Sequence, residues 1–231
     1  MMRAFPRPLL LLMIAAPAVV AAALLSGRGV PAVFGLYQGG ICLLLPAVTD
    51  LGVRRWSWSR HARHLGLSGP GTVRGIGLGL LLSAVAAGGV MVLAAAARGR
   101  LPIPGDLAAA LAAWGVGSAD LGGLVLFMAL VSGPAEELFW RGFCAAELAA
   151  VPARPLRLLV PSLLYASYHA ATVPRLLQSP ALAVPVLVGV AGAGLAWAWL
   201  RERTGSVWPA LLSHGAAAGA YTAVARHLLE G

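Results

Sequence analysis

"LGGLVLFMALVSGPAEELFWRGF", residues 121–143, begins with thirteen apolar or small residues and then places Glu136, Glu137 and Arg141 within six positions. On insertion scales an ionisable side chain near the bilayer centre costs roughly 2.5–3.5 kcal/mol. A segment apolar enough for lipid therefore keeps such a cluster only where neighbouring helices shelter it. The composition around it agrees. Of the 231 residues, 59% are hydrophobic and 11% charged, and that charged share is less than half the roughly 25% of a soluble domain. Apolar runs near 20 residues recur along the chain, the length needed to cross the hydrocarbon core. Lipid offers no water to backbone groups, so each run is expected to be helical. The fold class is all-α: a polytopic transmembrane helical bundle with a polar cavity near mid-membrane.

Seven spans are expected near 8–25, 30–49, 75–97, 121–147, 156–173, 181–200 and 207–225. Segment 101–118, "LPIPGDLAAALAAWGVGS", is short and broken, and reads as an interfacial or re-entrant helix; if it crosses, the count becomes eight. The first stretch, "MMRAFPRPLLLLMIAAPAVVAAALLSG", also fits a signal peptide, but its long apolar run favours an uncleaved first span. All 17 residues in the Lys+Arg count are Arg. On the expected topology eleven of them fall on one side: Arg3 and Arg7 at the N-terminus, the four of the loop "RRWSWSRHARH" with Arg74, Arg154 with Arg157, and the two of "RERTG". The other side holds Arg28, Arg98, Arg100, Arg175 and Arg226. That excess places the N-terminus in the cytoplasm.

The net charge of +9 therefore sets topology and meets lipid headgroups. No basic stretch carries interleaved aromatics as a nucleic-acid groove requires. Trp56 and Trp58 beside Arg54, Arg55 and Arg60 form an interfacial anchor, and His61, His64 and His227 read as surface residues. Cys42 and Cys144 read as small packing residues, and Gly-rich "GIGLGLLLSAVAAGG" (75–89) as a close helix contact. The Arg usage, with abundant Ala and Gly, points to a GC-rich bacterial genome.

Glu137 and Arg141 stand four apart and can pair on one helix face. Glu136 faces elsewhere and needs another partner. His169, in "YASYH", and His214, in "WPALLSHGAAAG", are the other deep polar residues. At 1.5 Å per residue, Glu136 lies roughly 16 Å from Glu147, His169 roughly 20 Å from Leu156 and His214 roughly 11 Å from Val207. These depths let one carboxylate and two imidazoles meet in a single cavity open to the cytoplasm. A Glu and a His around one water can polarise it, and a second His can donate to an oxyanion. The same trio, Glu136, His169 and His214, could instead hold a divalent metal such as zinc; with HExxH absent, no metal or other cofactor is favoured.

Three motifs in order resemble those of the CAAX prenyl protease and bacteriocin-processing membrane proteases, the CPBP or Abi family. "EELFWR" (136–141) matches its EExxxR, and "YASYH" (165–169) its FxxxH with Tyr for Phe. "TGSVWPALLSHGAAA" (204–218) is similar to its third region, which ends in HxxxN. The likeness covers about 120–220. It implies one membrane domain over 1–231, with accessory helices in 1–100 and the catalytic core in 120–225. It implies an intramembrane endopeptidase in the cell membrane, acting on a peptide or membrane-protein substrate. Glu136 would be the base, His169 its helper and His214 part of the oxyanion site; Glu137 and Arg141 would support them.

The sequence departs from that pattern at Ala218, where the family has Asn or Asp. Losing an oxyanion donor costs about 10²–10³-fold in rate. A catalytically silent membrane scaffold of the same fold is thus the alternative, and a proton-coupled transporter a third reading. A serine protease fits less well, since GxSG is absent.

Overall fold

The structure, a computed structural model, describes residues 7–117 and 120–230. Arg3, which the topology reading uses, lies outside these residues. Among these residues, besides a short 3-10 turn at Arg98–Arg100, ten helices follow one another: α1 (Arg7–Leu25), α2 (Gly29–Val53), α3 (Trp58–Leu65), α4 (Thr72–Ala96) and α5 (Pro104–Ala113), then α6 (Leu121–Leu148), α7 (Arg154–Ser167), α8 (His169–Leu177), α9 (Pro180–Thr204) and α10 (Trp208–Glu230). Among the described residues there is no strand. Among the described residues five helices, α1, α2, α4, α6 and α9, are both long and apolar enough to cross a membrane.

The two remaining expected spans take other forms. Helix α10 has 23 residues, roughly 35 Å at 1.5 Å per residue, but it carries Ser213, His214, Thr222 and Arg226. The stretch expected at 156–173 is broken at Tyr168 into α7, of 14 residues, and α8, of 9. An apolar window averages over such a break and cannot locate it. Helix α5, at 10 residues, is roughly 15 Å long and falls well short of a crossing.

Two of the spanning helices are wound unevenly. Over Phe34–Leu44 and Val48–Val53 in α2, and over Met128–Ser132 and Leu138–Cys144 in α6, the backbone opens to π geometry. The Leu45 N–H thus reaches back five residues to the Gly40 carbonyl. Such wide turns recur at functional sites, and here two of them bracket Gly133–Glu137.

Small residues bring the helices together. On α4, Gly75 and Gly79 leave no room for a Cβ against Ser206, Trp208 and Leu212 at the start of α10, a small-xxx-small contact that bears out the packing role expected of the Gly-rich stretch. Between α6 and α10, a Cβ on Gly133 would lie 3.1 Å from the Gly215 backbone, and one on Gly215 would strike the Ala129 carbonyl. This crossing sets His214 against the acidic pair of α6.

One end of the bundle is clasped by charge. Asp50, fully buried, binds Arg54 Nη1 at 2.9 Å and His61 Nδ1 at 2.8 Å. Arg54 also grips both oxygens of Glu147, at 2.6 and 2.9 Å, and His64 Nε2 stands 3.1 Å from Glu147 Oε1. His61 is buried and His64 half-buried beside Glu147, which corrects the expectation that both are surface residues. The cause is Asp50, a carboxylate at the end of an apolar span that must be paired when desolvated. His227 is exposed, as expected, and Cys42 and Cys144 are buried free thiols.

Candidate active site

Glu136 and Glu137 are both buried, 4% and 0% exposed, on the segment of α6 between its two wide turns. Being consecutive on a helix, they aim apart. Glu137 Oε1 accepts from Arg141 Nη1 at 2.9 Å and faces His214 Nδ1 at 2.9 Å. The pairing of Glu137 with Arg141 is the one expected from their spacing, and His214 joins it across the Gly133–Gly215 crossing. A carboxylate accepts only, so His214 carries its proton on Nδ1 and turns Nε2 towards the Tyr165 hydroxyl, 3.3 Å away.

Arg141 is 1% exposed. Its guanidinium lies over the Tyr165 ring at 4.4 Å and near Trp197 at 5.4 Å, so aromatic faces offset part of its desolvation. Gly194 on α9 makes the room: a Cβ there would sit 2.8 Å from Arg141 Nη2 and 3.2 Å from Tyr165.

Glu136 looks towards other elements. Its Oε2 accepts from the Tyr168 hydroxyl at 2.7 Å, and its Oε1 from Gln38 Nε2 at 3.4 Å. Gln38 Nε2 also donates to Ser132 Oγ at 3.0 Å. Tyr168 is the residue at which α7 gives way to α8. His169 follows directly, stacked on Tyr168 with ring centroids 4.1 Å apart and edge-on to Tyr165 at 5.2 Å. Its Nδ1 is buried and without a partner.

The three residues singled out by depth thus border one aromatic and polar cluster. His169 and His214 both pack edge-on against Tyr165, at 5.2 and 5.8 Å between centroids. Among the described residues, however, no hydrogen bond joins Glu136 to either imidazole. The connection runs through Tyr168 to His169 on one side, and through Glu137 and Tyr165 to His214 on the other.

As a metal site the trio is poorly disposed. Both ring nitrogens of His214 already face partners, and among the described residues the group whose ligand atoms all lie within 4.8 Å of one another is Asp50, His64 and Glu147 at the clasped end. Arg54 occupies the space between those two carboxylates.

Four contributors escape the sequence reading: Gln38, Tyr168, Trp197 and the hydroxyl of Tyr165. Gln38 had a signal, being a lone amide in "FGLYQGGICLLL". Tyr168 and Tyr165 sit inside the quoted "YASYH", where the expectation rested on the histidine. Trp197 stacks on His214 at 4.8 Å, and nothing in a run of Ala, Leu and Trp distinguishes it from lipid-facing residues.

With this geometry in place, comparison with known families is decisive for one stretch. Residues 119–219 match the family model described as type II CAAX prenyl endopeptidase, Rce1-like. That stretch is similar to the Rce1-like family. The match bears out the resemblance drawn from "EELFWR", "YASYH" and "TGSVWPALLSHGAAA", all of which lie within it. The Rce1-like family is one of membrane proteases, which agrees with the five helices among the described residues that are able to cross a bilayer and with a multi-pass membrane protein. The Rce1-like stretch includes Glu136, His169 and His214 and leaves Gln38 outside. No curated protein and no solved structure matches the chain.

Proposed function

We propose that the protein is an intramembrane endopeptidase in which Glu136 activates a water for attack on a peptide carbonyl. The observation that carries this reading is the pair of consecutive buried glutamates with divided tasks. Glu137 is ion-paired with Arg141 and accepts from His214 Nδ1, whereas among the described residues no cation hydrogen-bonds Glu136, which keeps a carboxylate able to take a proton.

In the proposed step the water oxygen bonds to the carbonyl carbon and one water proton passes to Glu136. The carbonyl oxygen becomes an oxyanion. Collapse breaks the C–N bond, and Glu136 returns the proton to the leaving nitrogen, giving an acid and an amine. His169 stands next to Tyr168 and assists in holding the reacting groups, its free Nδ1 available to water or substrate. The Tyr165 hydroxyl serves the oxyanion by turning its proton from His214 Nε2 to the substrate oxygen, and His214, anchored through Nδ1 to Glu137, holds that phenol in place. In relatives bearing Asn where this chain has Ala218, a carboxamide would do so; here the Tyr165 hydroxyl, which Phe lacks, is the donor beside His214. No step needs a metal, since the acid, the imidazoles and the phenols supply the proton transfers. The Arg distribution supports a cytoplasmic N-terminus and the composition a bacterial membrane.

Ala218 favours a second reading, a silent member of the fold that binds membrane peptides without cutting them. One experiment separates the two. The membrane-proteome peptides of cells expressing the parent protein are compared with those of cells expressing Glu136→Gln. The peptidase reading expects new termini in the parent sample and their loss in the variant, with at least a 10³-fold fall in rate on any such peptide once purified. Identical peptide sets leave the binding reading in place. Cleavage is further expected to persist in chelator; complete loss with restoration by zinc would overturn the metal-free mechanism.

A further inference from the structure

Gln38 belongs to α2 and to no part of the Rce1-like stretch, yet its side chain ends beside Glu136. It is 4% exposed, in a helix otherwise suited to lipid. Both hydrogens of its amide nitrogen have acceptors, Ser132 Oγ at 3.0 Å and Glu136 Oε1 at 3.4 Å. This orientation is the one electrostatics selects, because an ionised carboxylate can only accept. Ser132, a turn before Glu136 on α6, fixes the amide plane.

That leaves the other end of the carboxamide. Gln38 Oε1 is buried and has no hydrogen-bond partner among the described residues. A buried acceptor in this condition is costly, and polar helix interiors meet such needs with ordered water. A water about to attack a carbonyl has a matching need. It must give its two hydrogens to two acceptors so that a lone pair stays free for carbon. Glu136 is one acceptor, and the carboxamide already hydrogen-bonded to Glu136 offers the second.

We propose that Gln38 is a water-positioning residue, its Oε1 and the Glu136 carboxylate holding between them the water that attacks. The proposal rests on the peptidase reading of the site, and it adds a group from outside the family's segment. Gln38 fixes where the water stands while Glu136 takes the proton; the water's other hydrogen stays on its own oxygen and donates to Gln38 Oε1 throughout the attack.

The test uses the full chain in proteoliposomes and reads the water directly. Infrared difference spectra between H₂¹⁶O and H₂¹⁸O are recorded for the parent, Gln38→Met, Gln38→Asn and Glu136→Gln. The parent is expected to show a strongly bound water band that each of the three variants loses. Met keeps the volume without an acceptor; Asn withdraws the same amide by one methylene and serves if Met disturbs folding. On a peptide cut by the parent, Gln38→Met is expected to lower kcat about 10²-fold and to leave KM within about twofold. Absence of the band from the parent, or its survival in both Gln38 variants, overturns the proposal. A band lost in the Gln38 variants, with no peptide cut by the parent, supports the water site and removes the peptidase reading instead.

Discussion

Arg141 and Glu137 form a buried pair whose polar groups are only partly used. Arg141 Nε and Nη2 and Glu137 Oε2 have no partners among the described residues, so the pair depends on the Tyr165 ring and on His214 for the rest of its compensation. Removing one partner leaves the other charge uncompensated, a change that costs about 3–5 kcal/mol in buried pairs. Glu137→Ala is therefore expected to destabilise the folded protein by about that amount, read by thermal unfolding in detergent, and to free His214 as well. Arg141→Lys should not restore the parent, since an ammonium cannot lie flat on Tyr165 as a guanidinium does. Tyr165→Phe removes one hydroxyl and no ring. It is expected to cost about 10–10²-fold in kcat, within the range of losing an oxyanion donor, with little change in unfolding temperature. Rate recovery on adding Ala218→Asn to that variant would tie the hydroxyl to the oxyanion; equal rates in parent and Tyr165→Phe would detach it.

At the scale of elements, the crossing of α6 and α10 decides whether Glu137 and His214 meet. Gly215→Ala places a methyl against the Ala129 carbonyl, and backbone cannot yield as a flexible side chain can. Overpacking of this kind costs about 1–3 kcal/mol, and activity should fall further because the 2.9 Å contact to His214 is stretched. A matched control exists in Gly189→Ala on α9, whose Cβ meets nothing within 4 Å and should leave unfolding temperature and rate alone. The junction of α7 and α8 was the element least legible in the sequence. "LLVPSLLYASYHAATV" reads as one continuous apolar run, and no Gly or Pro marks position 168. The winding of α2 and α6 was equally hidden, because π geometry leaves hydropathy unchanged. What the sequence did carry was depth: Glu136, His169 and His214 could be assigned to one level from helical rise alone, and all three border the same aromatic cluster. It did not carry direction. Two imidazoles at the same height as a carboxylate can still reach it through intermediaries, and here those are Tyr168 and the Glu137–Tyr165 pair.

Across the whole molecule, the charges that a hydropathy reading assigns to loops turn out to hold the bundle closed. Asp50, Arg54 and Glu147 join α2 to α6, while His61 and His64 bring α3 into the same network. The loop read as an interfacial anchor does present Trp58, 72% exposed, but the helix that begins there is also tied inward. Asp50→Ala leaves His61 without its carboxylate and Arg54 with Glu147 alone, and is expected to lower the unfolding temperature more than Arg54→Ala, which leaves the fully buried Asp50 its histidine. The opposite ranking, in the same detergent, would mean that the Arg54–Glu147 bridge dominates the clasp.

Gln38 reaches the acidic pair from a helix some eighty residues upstream of the recognised stretch. A recombinant fragment starting at residue 119 would retain every charged and imidazole group of the centre and still be chemically incomplete. Splitting the polypeptide in the segment around residue 100 and co-producing the pieces should recover turnover through complementation, while the downstream piece alone stays inert however well it inserts.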